Sequence, residues 1–251
     1  MAVTQKFKNM ALSFYGCDGG NLNSTVWTCG LEWGGGYENN EIPESELKAL
    51  KLWSWDTDGE TVAGCLRHQY NQKLAWFFSY LYGWNVDDYK NESIKNKLFC
   101  SEGTGFKMNA FPISFKNRDS VSWSQKIKEQ TGIDSFQVYK EWCIENRGKH
   151  FHNLIQKHNP QIVLCTGISS SNEFFRFFKC DISTIAHHNE FHSGLTNDGK
   201  TLIFVVPFFG GRNGINSYSK MESLVSKINH FASLYFNNDV WFKQYPPKHN
   251  K

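Results

Sequence analysis

Gln161-Ile162-Val163-Leu164-Cys165-Thr166-Gly167 is a continuous apolar, β-branched run closed by glycine. A run of this length and composition predicts a strand buried on both faces, as in parallel sheets. Upstream, Asp134 can cap a long helix that turns Phe136, Tyr139, Cys143, Phe151, Leu154 and Ile155 inward and stops at Asn159-Pro160. Downstream, residues 169–178 predict a helix with aromatic residues on one side. Thr201 to Pro207 (TLIFVVP) repeats the buried-strand pattern, and a helix over 218–231 presents Met221, Leu224, Val225 and Ile228. Strands alternating with helices predict an α/β fold of three layers, α/β/α, with a parallel sheet covered on both faces.

The first half is more broken. Met10 to Tyr15 predicts a short buried strand running into a glycine-rich turn, Gly16-Cys17-Asp18-Gly19-Gly20-Asn21. Thr25 to Trp33 is β-prone and ends in Gly34-Gly35-Gly36, residues 44–52 suit a short helix after Pro43, and residues 67–81 suit a longer one. Phe106 to Ile113 predicts a strand that breaks at Pro112. With 251 residues, no repeats and no low-complexity linker, the chain predicts one domain over 1–251.

The net charge of +3 is compatible with nucleic acid without arguing for it. Seven scattered cysteines, none in a C-x-x-C pair, give no zinc or iron–sulfur pattern and fit a reducing compartment. His187, His188 and His192 have a spacing that suits surface histidines better than a metal site. No apolar run is long enough for a bilayer, and Met1 to Asn9 lacks the apolar stretch of a signal peptide. A soluble cytoplasmic protein is expected, with no metal, no cofactor, no membrane contact and no obligate protein partner.

Parallel sheets collect their strand-end loops along one edge, so three distant loops can share a cleft. The first, Gly16 to Asn21, offers backbone N–H groups and the carboxylate of Asp18. The second, Met108 to Ser114, offers Asn109, whose amide donates and accepts as reading a pyrimidine edge requires. The third, PFFGGRNGINS over 207–217, carries Gly210, Gly211, Arg212, Asn213, Ile215 and Asn216. One cation and one apolar tip on a flexible loop suit a wedge that enters a DNA duplex while touching phosphate. Blander roles exist for each: Asp18 can cap a turn, and Asn109 can satisfy a backbone bend beside Pro112; Glu32 beside Trp33 suits a second carboxylate in the cleft and a structural hydrogen-bonding role equally.

In this order of elements the chain resembles the uracil-DNA glycosylase superfamily. That family opens with a Gly-x-Asp-Pro-Tyr or Gly-Glu-x-Pro-Gly loop after its first strand, and GCDGGN is similar to it at Gly16 and Asp18. KMNAFPIS with Asn109 resembles the base-reading strand, and VVPFFGGRNGINS resembles the closing His-Pro-Ser-Pro loop, with Phe208 in place of histidine. The resemblance spans residues 10 to 232 and leaves an unmatched insertion around 33–97. It implies a central four-stranded parallel sheet, double-stranded DNA as partner, and N-glycosidic hydrolysis without metal or cofactor. It also implies Asp18 and Asn109 as catalytic residues, and a base pocket drawing on Tyr15, Gly16, Cys17, Gly19, Gly20, Trp33 and Phe208. Phe14, Tyr15, Trp33 and Tyr37 are all candidates for the stacking face. Asn213 or His187 would replace the missing histidine as donor to the base.

Uracil-specific members place a tyrosine against pyrimidine C5 where this chain, in that alignment, has Gly20. The missing ring implies room for a bulky 5-modified pyrimidine, such as glucosylated hydroxymethylcytosine in phage DNA, and hence a defence role. Trp53, Trp55, Asp56 and Asp58 of the unmatched segment would then form a sugar-binding wall. Two competing expectations are a catalytically inert reader of flipped or modified bases and an ordinary uracil-excising repair enzyme.

Overall fold

The computed structural model describes residues 2–37, 41–57, 59–116, 122–210 and 214–236. These form a mixed α/β fold around a mostly parallel, seven-stranded sheet. Its strands are β1 (Gly19–Gly20), β2 (Val26–Gly30), β3 (Phe106–Asn109), β4 (Ile162–Thr166), β5 (Ala186–His187), β6 (His192–Leu195) and β7 (Leu202–Val206), in the spatial order β1-β3-β2-β4-β7-β6-β5. The neighbours β3, β2, β4 and β7 are parallel, whereas β1 pairs antiparallel with β3 and the β5–β6 hairpin extends β7 antiparallel. The sheet thus has seven strands where the resemblance implied four, because short strands from connecting segments pair with both outer edges of the parallel set.

The side-chain period of two sorts the central strands onto two apolar clusters. Trp27, Cys29, Phe106, Met108, Val163, Cys165, Ile203 and Val205 share one. That face is covered by α1 (Gln5–Ala11), α6 (Phe136–Trp142), α7 (Gly148–His158) and α8 (Ser171–Phe177), through residues such as Phe7, Tyr139, Phe151 and Phe174. Val26, Ile162, Leu164, Leu202, Phe204 and Val206 share the other, under α3 (Gln69–Tyr82) and α9 (Tyr218–Phe236); the shorter helices are α2 (Val62–Cys65), α4 (Tyr89–Lys95) and α5 (Gln125–Thr131). A five-residue π-turn, Cys143–Arg147, joins α6 to α7, so the long helix foreseen from 134 to 159 is continuous but locally widened. Its cap is Ser135 rather than Asp134: the Ser135 hydroxyl accepts from the Val138 N–H.

Two sequence expectations fail. Met10 to Tyr15 is not a strand: Met10 and Ala11 end α1, and residues 12–16 form turns. Thr4 caps that helix by accepting from the Phe7 N–H, and Phe7, Met10 and Ala11 are buried at helical spacing. The expected helix over 44–52 shrinks to a single 3-10 turn, Glu44–Glu46.

The unmatched segment around 33–97 is built into the fold. It supplies α3, whose Leu74, Ala75, Phe77, Phe78 and Leu81 belong to the second cluster. It also supplies the Trp53 carbonyl, which accepts from the Gly20 N–H at 2.9 Å and so pairs the outer side of β1. Gly19 and Gly20 have φ of +75° and +109°, and side chains there would collide with the Trp53 carbonyl and approach the Gly105 carbonyl at 2.7 Å. Among the described residues, no helix is long and apolar enough to cross a membrane.

Candidate active site

The residues at the carboxyl ends of the parallel strands line a cavity of about 710 Å³. The alternation that places Val26, Leu164 and Phe204 under α3 also places Thr28 and Gly30, Lys107 and Asn109, Thr166, and Phe208 on that face. Gly30, Lys107, Asn109, Thr166 and Phe208 lie at its carboxyl edge and line the cavity, with Leu31 to Gly34 following β2. The start of α3 closes the top with His68, Tyr70 and Asn71, and Asp18 enters from the side. The three loops singled out in the sequence do converge, through Asp18, Asn109 and Phe208.

Asn109 is buried and oriented. Its Nδ2 donates to the Gly16 carbonyl at 2.8 Å, and its Oδ1 lies over Gly30, where any Cβ would collide with it. Gly30 is thus a glycine for space. The backbone behind this amide is gathered by Arg147 at the end of the π-turn, which is fully buried. Its Nη1 donates to the Ala11 and Ser13 carbonyls at 2.6 and 3.1 Å, and its Nη2 to those of Tyr15 and Asn109 at 2.8 and 3.1 Å. One guanidinium therefore fixes the 11–15 turns against the strand that carries Asn109.

Asp18 lines the cavity with its carboxylate ion-paired to Lys107. Lys107 is itself buried; its Nζ also donates to Asn71 Oδ1 at 2.9 Å and lies 5.3 Å from the centre of the Tyr70 ring. Tyr70 and Thr166 share a hydroxyl hydrogen bond of 2.8 Å, and burial pushes the Tyr70 phenol well above its ordinary range. Phe208, half-exposed, stacks on Tyr70 with centroids 5.6 Å apart and planes at 23°.

No protein-family model matches the chain, and no curated protein matches it.

A second cavity of about 780 Å³ adjoins the first and shares Asp18, Trp33, His68 and Asn71 with it. Gly16, Cys17, Leu50, Leu52, Trp53, Trp55 and Glu60 are among its other walls. Trp33 stands between the two, 40% exposed, with Tyr15 edge-on behind it at 5.7 Å. Tyr15 is buried; its hydroxyl donates to Glu46 and shares a 3.0 Å hydrogen bond with Tyr37, so Tyr15 supports Trp33 and does not line either cavity.

Other expected residues are placed elsewhere. Gly19 and Gly20 lie against backbone and line neither cavity, so Gly20 opens no space for a substrate. Ile215, the expected wedge tip, is buried in the second apolar cluster. Asn216 accepts from Lys73 at 2.7 Å, and Gly210 packs against the Phe208 ring. Gly211, Arg212 and Asn213 lie outside the described residues, as does Asp58. Asp56 accepts from Ser54 and Ser101 and does not line the second cavity, whereas Trp53 and Trp55 do, Trp55 being otherwise buried against Phe99 at 4.9 Å. His187 sits on the far edge of the sheet, its ring 4.2 Å from that of His192, so it cannot serve the strand-end cavity.

Sequence reasoning gave too little weight to Glu32 and overlooked Tyr70, Lys107, Arg147 and Thr166. Lys107 was open to inference, since it lies two residues before Asn109 on one strand and must share its face. Arg147 gave no signal, because its partners are carbonyl groups far away in the chain.

Proposed function

We propose that this chain is a DNA glycosylase that draws a flipped pyrimidine nucleotide into the strand-end cavity and hydrolyses its N-glycosidic bond. The observation that carries the reading is the presence of Asn109 and Glu32 in one cavity at the carboxyl ends of parallel strands. The parallel set β3-β2-β4-β7 suits the four-stranded sheet of the uracil-DNA glycosylase superfamily, with β1, β5 and β6 as additions. In that superfamily the acidic loop follows the first central strand. Here that strand is β2, and the segment after it is Gly30-Leu31-Glu32-Trp33-Gly34. We therefore assign the catalytic carboxylate to Glu32 and give Asp18 the task of holding Lys107.

In this mechanism the base leaves C1′ with the bonding electron pair, water adds to C1′, and an abasic site remains. The Glu32 carboxylate stabilises the developing oxocarbenium charge, and Asn109 holds the base edge. Trp33, Leu50, Leu52 and Phe208 are exposed apolar groups around the two cavities, with exposed Lys51 and Arg67 among them. Such a rim suits a duplex that is pried open while its phosphates are held.

The space beside pyrimidine C5 belongs to Gly34, not Gly20. A side chain at Gly34 would meet nothing within 4 Å, and the second cavity lies beside it across Trp33. A bulky 5-modified pyrimidine, such as glucosylated hydroxymethylcytosine of phage DNA, is the substrate class this favours. Its excision would serve antiviral defence inside the cell. Phe208 in place of histidine favours a second reading, an inert reader of such bases.

Incubation with duplexes containing uracil, cytosine, hydroxymethylcytosine or its glucosylated form, with released bases identified by mass spectrometry, tests both. Base release abolished by Glu32→Gln supports the enzyme. Tight binding without release from any duplex establishes the reader instead.

A further inference from the structure

The strand face that carries Asn109 also carries a buried cation, Lys107, on the wall of the same cavity. A buried ammonium is costly unless its protons are bonded. Two of the three are: one goes to Asp18 and one to Asn71. Among the described residues no hydrogen bond takes the third N–H, which is left for a ligand. The other ionisable groups among the described cavity residues are Asp18, Glu32, His68 and Tyr70. Of the two positive or potentially positive groups, only Lys107 is fixed by hydrogen bonds, whereas His68 is exposed at the rim.

We propose that Lys107 and Asn109 together form a binding site for a pyrimidine in its anionic state, with the Lys107 ammonium donating to a ring carbonyl oxygen. This rests on the cavity being the base pocket, and it answers a chemical need of that reading. When the glycosidic bond breaks, the electron pair goes to the ring nitrogen and spreads onto the adjacent carbonyl oxygen. Phe208 has no proton to give that oxygen. A positive charge fixed on the cavity wall before the bond breaks stabilises the departing anion without having to rearrange. Asp18 acts here as a positioning residue, since its bond to Lys107 sets where the ammonium stands.

Free 5-fluorouracil, whose ring N–H ionises more readily than that of uracil, is the probe. Its ultraviolet spectrum reports its ionisation when titrated with the full-length protein across neutral pH. The expected result is binding of the anion about tenfold or more tighter than the neutral base, a downward shift of about one pH unit in the bound base. Lys107→Met should abolish that shift. Because this variant strands the Asp18 carboxylate, the double variant Lys107→Met, Asp18→Asn, which removes both charges, should fold and lack the shift as well. Equal affinity for both forms, no binding at millimolar base, or a shift lost in His68→Ala but kept in Lys107→Met would overturn the proposal. A preference for the anion in a protein that releases no base from DNA would leave the site standing and remove the glycosylase. Base release without that preference would do the reverse.

Discussion

Gly30 lies directly beneath the amide of Asn109, so close that a methyl group on its Cα would occupy the place of Oδ1. Gly30→Ala should therefore displace the amide while leaving the strand paired. Base release should fall by about 100-fold, the scale of losing one oriented hydrogen-bonding group in a catalytic site, with little change in Tm. Asn109→Ala should reproduce the loss, and the two changes combined should cost hardly more than either alone. Single-turnover kinetics with circular dichroism melting checks this.

Gly34 faces open space. Gly34→Tyr should close the route toward the second cavity and convert a tolerant site into one that admits only small pyrimidines. The ratio of release from hydroxymethylcytosine and its glucosylated form, measured in competition, should drop by about tenfold or more in the glucosylated direction. An unchanged ratio would sever the second cavity from substrate choice.

Arg147 binds four carbonyl groups from two chain segments. Its replacement by leucine strands them together. Hydrogen bonds to a charged group contribute about 1.5 to 3 kcal/mol each, so a loss of about 3 kcal/mol is a minimum. For a chain of this size that lowers Tm by roughly 6 to 12 °C. Arg147→Lys, which lacks the planar fork, should recover only part of it.

Cys17 is a wall of the second cavity, yet its thiol is a poor nucleophile: burial pushes its pKa up to about 11, and the nearby Arg147 offsets only part of that. Near pH 8 the group is a neutral thiol, so alkylation by iodoacetamide in the folded protein should be slow. Its rate should rise about tenfold per pH unit until about pH 11. Peptide mapping of the alkylated protein gives the measurement.

His150 and His152 each keep a buried ring nitrogen with no partner among the described residues, and burial lowers the pKa of both. The folded values lie below the unfolded one, so as pH falls the unfolded chain takes up protons first. Stability should be complete above the unfolded value of about 6.5 and decline as the pH drops below it. Urea unfolding on either side of that pH should show the decline, and His152→Phe should make it shallower.

The two strongest strands were legible because Ile162 to Thr166 and Leu202 to Val206 are continuous apolar runs bounded by Gly or Pro, which few other structures accommodate. Met10 to Tyr15 has the same surface look, but Thr4, six residues upstream, caps a helix that ends on its first two residues. With no strand in that segment, the first central strand is β2, and on the proposed reading the acidic loop becomes Glu32 and Gly34 in place of Asp18 and Gly20. Asn109 was legible because the strand leading to it ends at a proline bend. The burial of Ile215 was not, since an apolar residue in a glycine-rich loop reads the same whether it points out or folds back.

The bond from the Gly20 N–H to the Trp53 carbonyl has a bearing on how far this protein can be shortened. An outermost strand with free amides is a template for another chain. Here the segment that shapes the second cavity also occupies that template. A variant trimmed of residues 41–57 would lose more than a binding wall: it would bare a sticky margin and assemble with its own copies. Solubility and the shape of the second cavity are thus tied to one stretch of chain.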